Sequence, residues 1–295
     1  MKGLALLFTA NYWIYIFSFQ KVIKDALTAI GTMWLLIEVM SFFSKQVEDN
    51  LKNHVWLLIA IGILYVLWEN WPKTLYIYRL KEKDISIQLS IGNLFAYDGD
   101  LVIPINTSFD TSFENDLISP KSTQGQFTKK YFAESRFLDQ DITTALGGEP
   151  PIQELPNKTR GKPVRYEIGK VLKLKLTNWN KFAYLVASAD MNDDGTSFTT
   201  FDNILTSLAN VWEFIRNKGE CDEINIPIIG SGRGRVLESR ATIIKAIVHS
   251  FISSTTSATR FCNKLNIVIH PSDFRKYQID IRDLAEFIRL KTIHS

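Results

Sequence analysis

The chain changes character at Pro72, and that change limits its architecture more than any motif does. Residues 1–72 hold five lysines (Lys2, Lys21, Lys24, Lys45, Lys52) and five acids (Asp25, Glu38, Glu48, Asp49, Glu69), with five of the seven tryptophans, Trp13, Trp34, Trp56, Trp68 and Trp71. The other 223 residues carry 29 basic and 26 acidic side chains, nearly twice the charge density. An apolar, Trp-rich segment joined to a charged, mixed region has the composition of a membrane anchor on a globular domain.

Three apolar stretches compete as spans: Gly3 to Gln20, Ala26 to Phe43 and Val55 to Trp71. A span needs roughly 17 to 25 mostly apolar residues. Val55 to Trp68 is uncharged, and Trp68, Trp71 and Tyr76 offer an interfacial belt at its exit. Ala26 to Phe43 is interrupted only by Glu38, which can snorkel to an interface, and Ser44 to His54 reads as the polar loop of a helical hairpin. Lys21 and Lys24 before the hairpin, and Lys73, Arg79, Lys81 and Lys83 after it, put both flanks in the cytoplasm. The expected layout is residues 1–24 as an interfacial or inserted helix, 25–72 as a transmembrane hairpin, 73–84 as a basic linker and 85–295 as a cytoplasmic domain at a bacterial inner membrane. A secretory signal fits the first stretch poorly, since no small-x-small site follows it. The hairpin can be a passive tether or an output device.

Two cysteines, Cys221 and Cys262, without CxxC spacing exclude a disulfide framework and a thiolate zinc site, and a reducing compartment is expected. Four histidines at unrelated spacings argue against a His-built metal site. A net charge of +3 does not point to nucleic acid as a partner.

Beyond residue 84 the pattern alternates. Ile85 to Ile91, Leu101 to Ile105, Val171 to Leu176, Ala183 to Ala187, Ile224 to Ile229 and Leu265 to Ile269 read as strands. Gln126 to Ala145, Phe201 to Asn217, Val236 to Phe251 and Ile281 to Leu290 read as helices. Such alternation predicts an α/β domain, a mixed sheet flanked by helices, with ligands held beyond the carboxyl ends of the strands.

Two strand-end loops carry chemistry. In the first, a buried strand runs into Gly230-Ser231-Gly232-Arg233-Gly234-Arg235 and then a helix. Glycines let backbone N–H groups approach a phosphate, a helix N-terminus adds positive dipole, and the arginines can bind phosphate bidentately. The plain alternative is a sharp turn with solvated arginines. In the second, Asn106, Thr107 and Asp110 follow a strand, with Ser122, Gln124 and Gly125 further on and Phe109 and Phe127 beside them. Short polar groups with aromatic faces suit a nucleotide's ribose and base. The plain alternative is turn chemistry with core phenylalanines.

Taken together, Ile85 to Leu290 resembles the macro domain, an ADP-ribose-binding α/β module. Ile91-Gly92-Asn93-Leu94 looks like the family's Gly-Asp-Ile element, with Asn93 where the adenine-contacting acid stands. Leu101 to Asn106 is similar to the strand that ends in the asparagine motif, and Ile226 to Gly234 to the Pro-x-x-Gly-x-Gly phosphate loop. The sequence departs from enzymatic members, because Ser119 to Phe127 replaces their glycine-rich catalytic loop and Asn93 replaces the acid.

An apolar hairpin followed by such a domain resembles the membrane-anchored macro-domain effectors of type II Thoeris antiphage systems. The resemblance implies a non-enzymatic sensor of an ADP-ribose derivative, histidine-ADP-ribose, made by a TIR-domain partner. It also implies homo-oligomerisation and contact with membrane lipid, which the bound effector disrupts to cause abortive infection. Two alternatives keep the pocket and change the outcome. One is a membrane-tethered ADP-ribosyl hydrolase using Asp110 or Asp190, and the other a passive membrane-anchored ADP-ribose-binding scaffold.

Overall fold

A computed structural model describes residues 19–43, 55–71, 73–81, 83–219, 222–230, 232, 236–255, 261–277 and 279–293. The chain divides into two compact units, 1–74 and 75–295.

In the first unit, α1 (Phe19–Phe43) and α2 (Val55–Glu69) pair so that the start of one meets the end of the other. Lys21 Nζ donates to Asp25 (2.9 Å) and to the Glu69 carbonyl (3.0 Å), and Asn70 Nδ2 donates to the same Asp25 carboxylate (3.0 Å). The residues between the helices, like those before Phe19, lie outside the described set. No helix among the described residues is long and apolar enough to cross a membrane. The 15 residues of α2 extend only ~22 Å, against a hydrocarbon core of ~30 Å. Although α1 is longer, it places Lys21, Lys24 and Asp25 in its first turns and Glu38 near its end. This overturns the expected transmembrane hairpin and the placement of the chain as a multi-pass protein of the inner membrane.

The second unit begins ten residues earlier than the sequence suggests. Part of the expected linker is a strand, β1 (Leu75–Arg79), antiparallel to β2 (Ser86–Ile91). There follow β3 (Asp100–Asn106), α3 (Thr123–Tyr131), α4 (Ser135–Leu146), the small pair β4 (Gln153–Glu154) and β5 (Val164–Arg165), β6 (Val171–Leu176), β7 (Lys181–Met191) and β8 (Ser197–Phe198). The chain continues through α5 (Phe201–Lys218), β9 (Glu223–Pro227), α6 (Arg240–Thr255), β10 (Lys264–Ile269), α7 (Pro271–Lys276) and α8 (Ile281–Ile293). The main sheet runs β1-β2-β10-β9-β3-β7-β6, with β8 added against β7. Neighbours from β2 to β7 are parallel, and β1 and β6 close the edges antiparallel.

The helix expected over 126–145 is two, broken at Phe132–Glu134, where the backbone is extended at both flanking caps. Helices α3 and α4 pack on β3 and β6, enclosing Leu101, Ile103, Phe109, Phe127, Leu138 and Leu185. Helices α5, α6 and α8 form the opposite layer, where Trp212 meets Phe251 edge-on at 5.4 Å. The interior strand β3 is therefore covered on both faces, which explains its unbroken apolar run LVIPI.

Candidate functional site

A cavity of about 610 Å³ opens at the carboxyl ends of five neighbouring strands, β2, β10, β9, β3 and β7. Its position follows from how the sheet parts. Strands β9 and β3 pair only at Asp100 and Leu101 and then separate. Pro104 and Pro227, which have no N–H to give a ladder, line the opening on either side. On the far side of β3, its register with β7 shifts between Ile105 and Asn106. A bulge at a strand end re-aims the side chain that follows, and Asn106 lines the cavity.

Asn106 Oδ1 is committed, accepting from the Ser108 and Asp110 N–H groups at 3.0 and 3.2 Å. What Asn106 presents to a ligand is its NH₂, a donor suited to hydroxyl or phosphate oxygen. Ser122 caps α3: its Oγ accepts from Gly125 N at 3.0 Å and donates to Ser119 O at 2.7 Å. The loop 119–122 and the first turn of α3, including Gln124, form the wall opposite the sheet, so a helix N-terminus borders the cavity. Gln124 Nε2 donates to Asp110 O at 2.5 Å, tying that turn to the loop after β3. Asn93 lines the cavity after β2, and its Oδ1 accepts from Phe95 N at 3.0 Å. Gly230 and Gly232 line it after β9. Gly230 has φ +72, and a Cβ there would press on Ile204, so glycine is required; at Gly232 a Cβ would meet nothing within 4 Å. Ser231, Arg233, Gly234 and Arg235 lie outside the described residues.

Five expected site residues stand elsewhere. Phe109 and Phe127 are completely buried in the layer beneath α3 and α4 and offer no stacking face; Phe109, at φ +51, meets Tyr166 edge-on instead. Thr107 is buried, and its hydroxyl donates to Asp190 Oδ1 at 2.9 Å. Gly125 does not line the cavity; it lets α3 lie against the backbone of Ser119 and Pro120, where a Cβ would collide. Asp110 is 1 % exposed and ion-paired at 3.0 Å with Lys158, itself 0 % exposed. Lys158 Nζ also donates to Ser108 Oγ (2.7 Å) and Lys162 O (2.8 Å), while Asp110 Oδ1 accepts from Lys162 N (2.6 Å). The other nominated acid, Asp190, pairs with Arg165 Nε at 2.9 Å. Both carboxylates are thus held by cations outside the cavity lining.

The sequence reading passed over the cavity's charged groups, Lys121, His270 and Asp273. His270 Nδ1 lies 2.6 Å from Ser272 Oγ and accepts from Ser272 N at 3.3 Å, capping α7, with Pro271 in the helix's first turn. That His-Pro-Ser-Asp run after a strand is a legible helix start. Burial pushes the Asp273 carboxyl above the usual range, against the opposing pull of Arg240, His270 and Lys276. Among the described residues no group of three or more His, Cys, Asp or Glu side chains could hold a metal ion.

The family model described as the macro domain of Thoeris protein ThsA matches residues 87–270. The Thoeris protein ThsA of Bacillus amyloliquefaciens (strain Y2) is 23 % identical over 288 residues, covering 92 % of this chain and 94 % of that protein. The solved Oceanobacillus iheyensis macrodomain with ADP covers 72 % of this chain and 97 % of its own, at 14 % identity and a TM-score of 0.48. The Trypanosoma brucei macrodomain in complex with ADP-ribose covers 73 % and 74 %, at 8 % identity and a TM-score of 0.45.

Proposed function

The chain belongs to the Thoeris ThsA macro-domain family, and on that premise we propose that it is an antiphage-defence sensor that binds an ADP-ribose-derived nucleotide without consuming it. The observation that carries this reading is the trough across five strand ends, glycine-lined at its centre and bordered by the N-terminus of α3. A diphosphate sits beside Gly230 and Gly232, and the two ribosides extend to either side. The signal is a conjugate of ADP-ribose, histidine-ADP-ribose, supplied by a TIR-domain partner enzyme.

Binding without turnover is supported by the state of the two acids that a hydrolase would use. Asp110 and Asp190 are each ion-paired with a basic side chain, and neither lines the cavity. Self-association of the liganded chain completes the reading. It draws support from α1 and α2, where Trp34 is 69 % and Trp68 80 % exposed, since large exposed apolar groups in number mark an interaction surface.

Isothermal titration of the full chain with ADP-ribose and its histidine conjugate tests the binding, and chromatography after prolonged incubation tests the fate of the ligand. Saturable binding with intact nucleotide recovered is expected. Steady hydrolysis that Asp110→Ala abolishes would establish an enzyme instead. Gly232→Glu adds a carboxylate to open space beside the diphosphate, so it should lower affinity by at least ~100-fold without unfolding the domain. Wild-type affinity in that variant would remove the diphosphate from beside Gly230 and Gly232.

A further inference from the structure

The two ends of the trough differ in chemistry. At the β3 and β7 end stand Asn106, Ser188 and Ser197, a hydroxyl- and amide-rich lining suited to a ribose. At the β2 and β10 end stand Leu94, Phe95 and Val268, apolar groups suited to a flat heterocycle, together with Asn93 and Asp273. The loop that carries Asn93 and the helix α7 that carries Asp273 follow adjacent strands in register, Ile91 opposite Ile269, and Gly92 N donates to Ile269 O at 2.9 Å.

A purine with an exocyclic amine needs an acceptor at its edge. Asn93 Oδ1 already accepts from Phe95 N–H, so at most one lone pair of a neutral oxygen is left for a base, a weaker acceptor than a carboxylate. Asp273 is the one carboxylate lining the cavity among the described residues. A carboxylate would repel a diphosphate at short range, so it belongs where the ligand carries donors and no phosphate.

We propose that Asp273 sets base specificity, accepting a hydrogen bond from the exocyclic amine of adenine and thereby favouring adenine over hypoxanthine nucleotides. This rests on the sensor reading above and adds the residue that reads the base. Burial, the larger effect, raises the Asp273 carboxyl, and the nearby Arg240, His270 and Lys276 offset that rise only in part.

The test uses the full chain with ADP-ribose and inosine diphosphate ribose; the first has the 6-amine that the carboxylate would accept from, and the second has a carbonyl there and a hydrogen on N1. Wild type should bind ADP-ribose ~10-fold or more tightly than the inosine analogue, the worth of one hydrogen bond to a charged acceptor. Asp273→Asn, checked for an unchanged melting temperature, should bring the two affinities within about 3-fold, because its amide can donate to the hypoxanthine oxygen. Equal wild-type affinities, or an equal loss for both nucleotides in the variant, would overturn the role of Asp273 and leave the sensor reading intact. Failure of wild type to bind either nucleotide would overturn both.

Discussion

A lysine and an aspartate buried together, as Lys158 and Asp110 are, satisfy one another, and each would be a costly buried charge without its partner. Removing one partner strands the other. Lys158→Met is expected to cost about 3–5 kcal/mol in urea unfolding, far more than Asp110 would matter as a ligand contact. Asp100, at the opposite end of β3, makes a pH prediction. Burial pushes its carboxyl up from the ordinary range, and hydrogen bonds from Phe182 N (2.8 Å) and Tyr184 OH (3.3 Å) only partly offset that. Between the ordinary and the raised value the native state binds a proton that the unfolded chain has released. The contribution of Asp100 is therefore full below that window and is lost as pH rises through it. Asp100→Asn should flatten this falling limb in melting temperature against pH. Neither residue's role was legible in the sequence: Asp110 looked like a site acid because it follows a strand-end asparagine, and its partner lies 48 residues away.

Four strands are tied together beneath the cavity by polar side chains that an apolar reading of their sequences does not anticipate. Gln88 donates to Ser90 (2.8 Å), Ser90 to Asn266 (2.7 Å), and Asn266 to Asn225 (2.7 Å), whose amide reaches the Asp98 and Asp100 carbonyls. The chain crosses β2, β10 and β9 to the start of β3 in register, with Gln88 opposite Asn266 and Asn266 opposite Asn225. Asn266→Ala leaves buried partners unsatisfied and is expected to cost about 1–3 kcal/mol in denaturant unfolding. At α3, Gly125→Ala forces the helix off Ser119 and should weaken nucleotide binding through that wall as well as lowering the melting temperature. The alternating strands and helices themselves were legible, because buried parallel strands read as short β-branched runs between amphipathic helices. What failed was local. Phe132-Ala133-Glu134 has no proline or glycine to mark its break, and the edge strand LYIYR has alternate exposure that reads as a basic linker.

At the scale of the molecule, the division falls after Thr74 and assigns β1 to the sheet. A chain beginning at Leu75 should therefore melt higher than one beginning at Ile85, which would bare the β2 edge and lose β1 from under α8. Equal melting temperatures would return residues 75–79 to the status of a linker. The trough crosses four inter-strand intervals, from β2 through β10, β9 and β3 to β7; at ~4.8 Å for each paired interval, and more where β9 and β3 part, that distance is at least ~19 Å. A sheet is stiff across its strands, so this length is fixed. The cavity therefore works as a caliper: a mononucleotide can engage one jaw only, and a ligand spanning both gains the second set of contacts without a second loss of translational freedom.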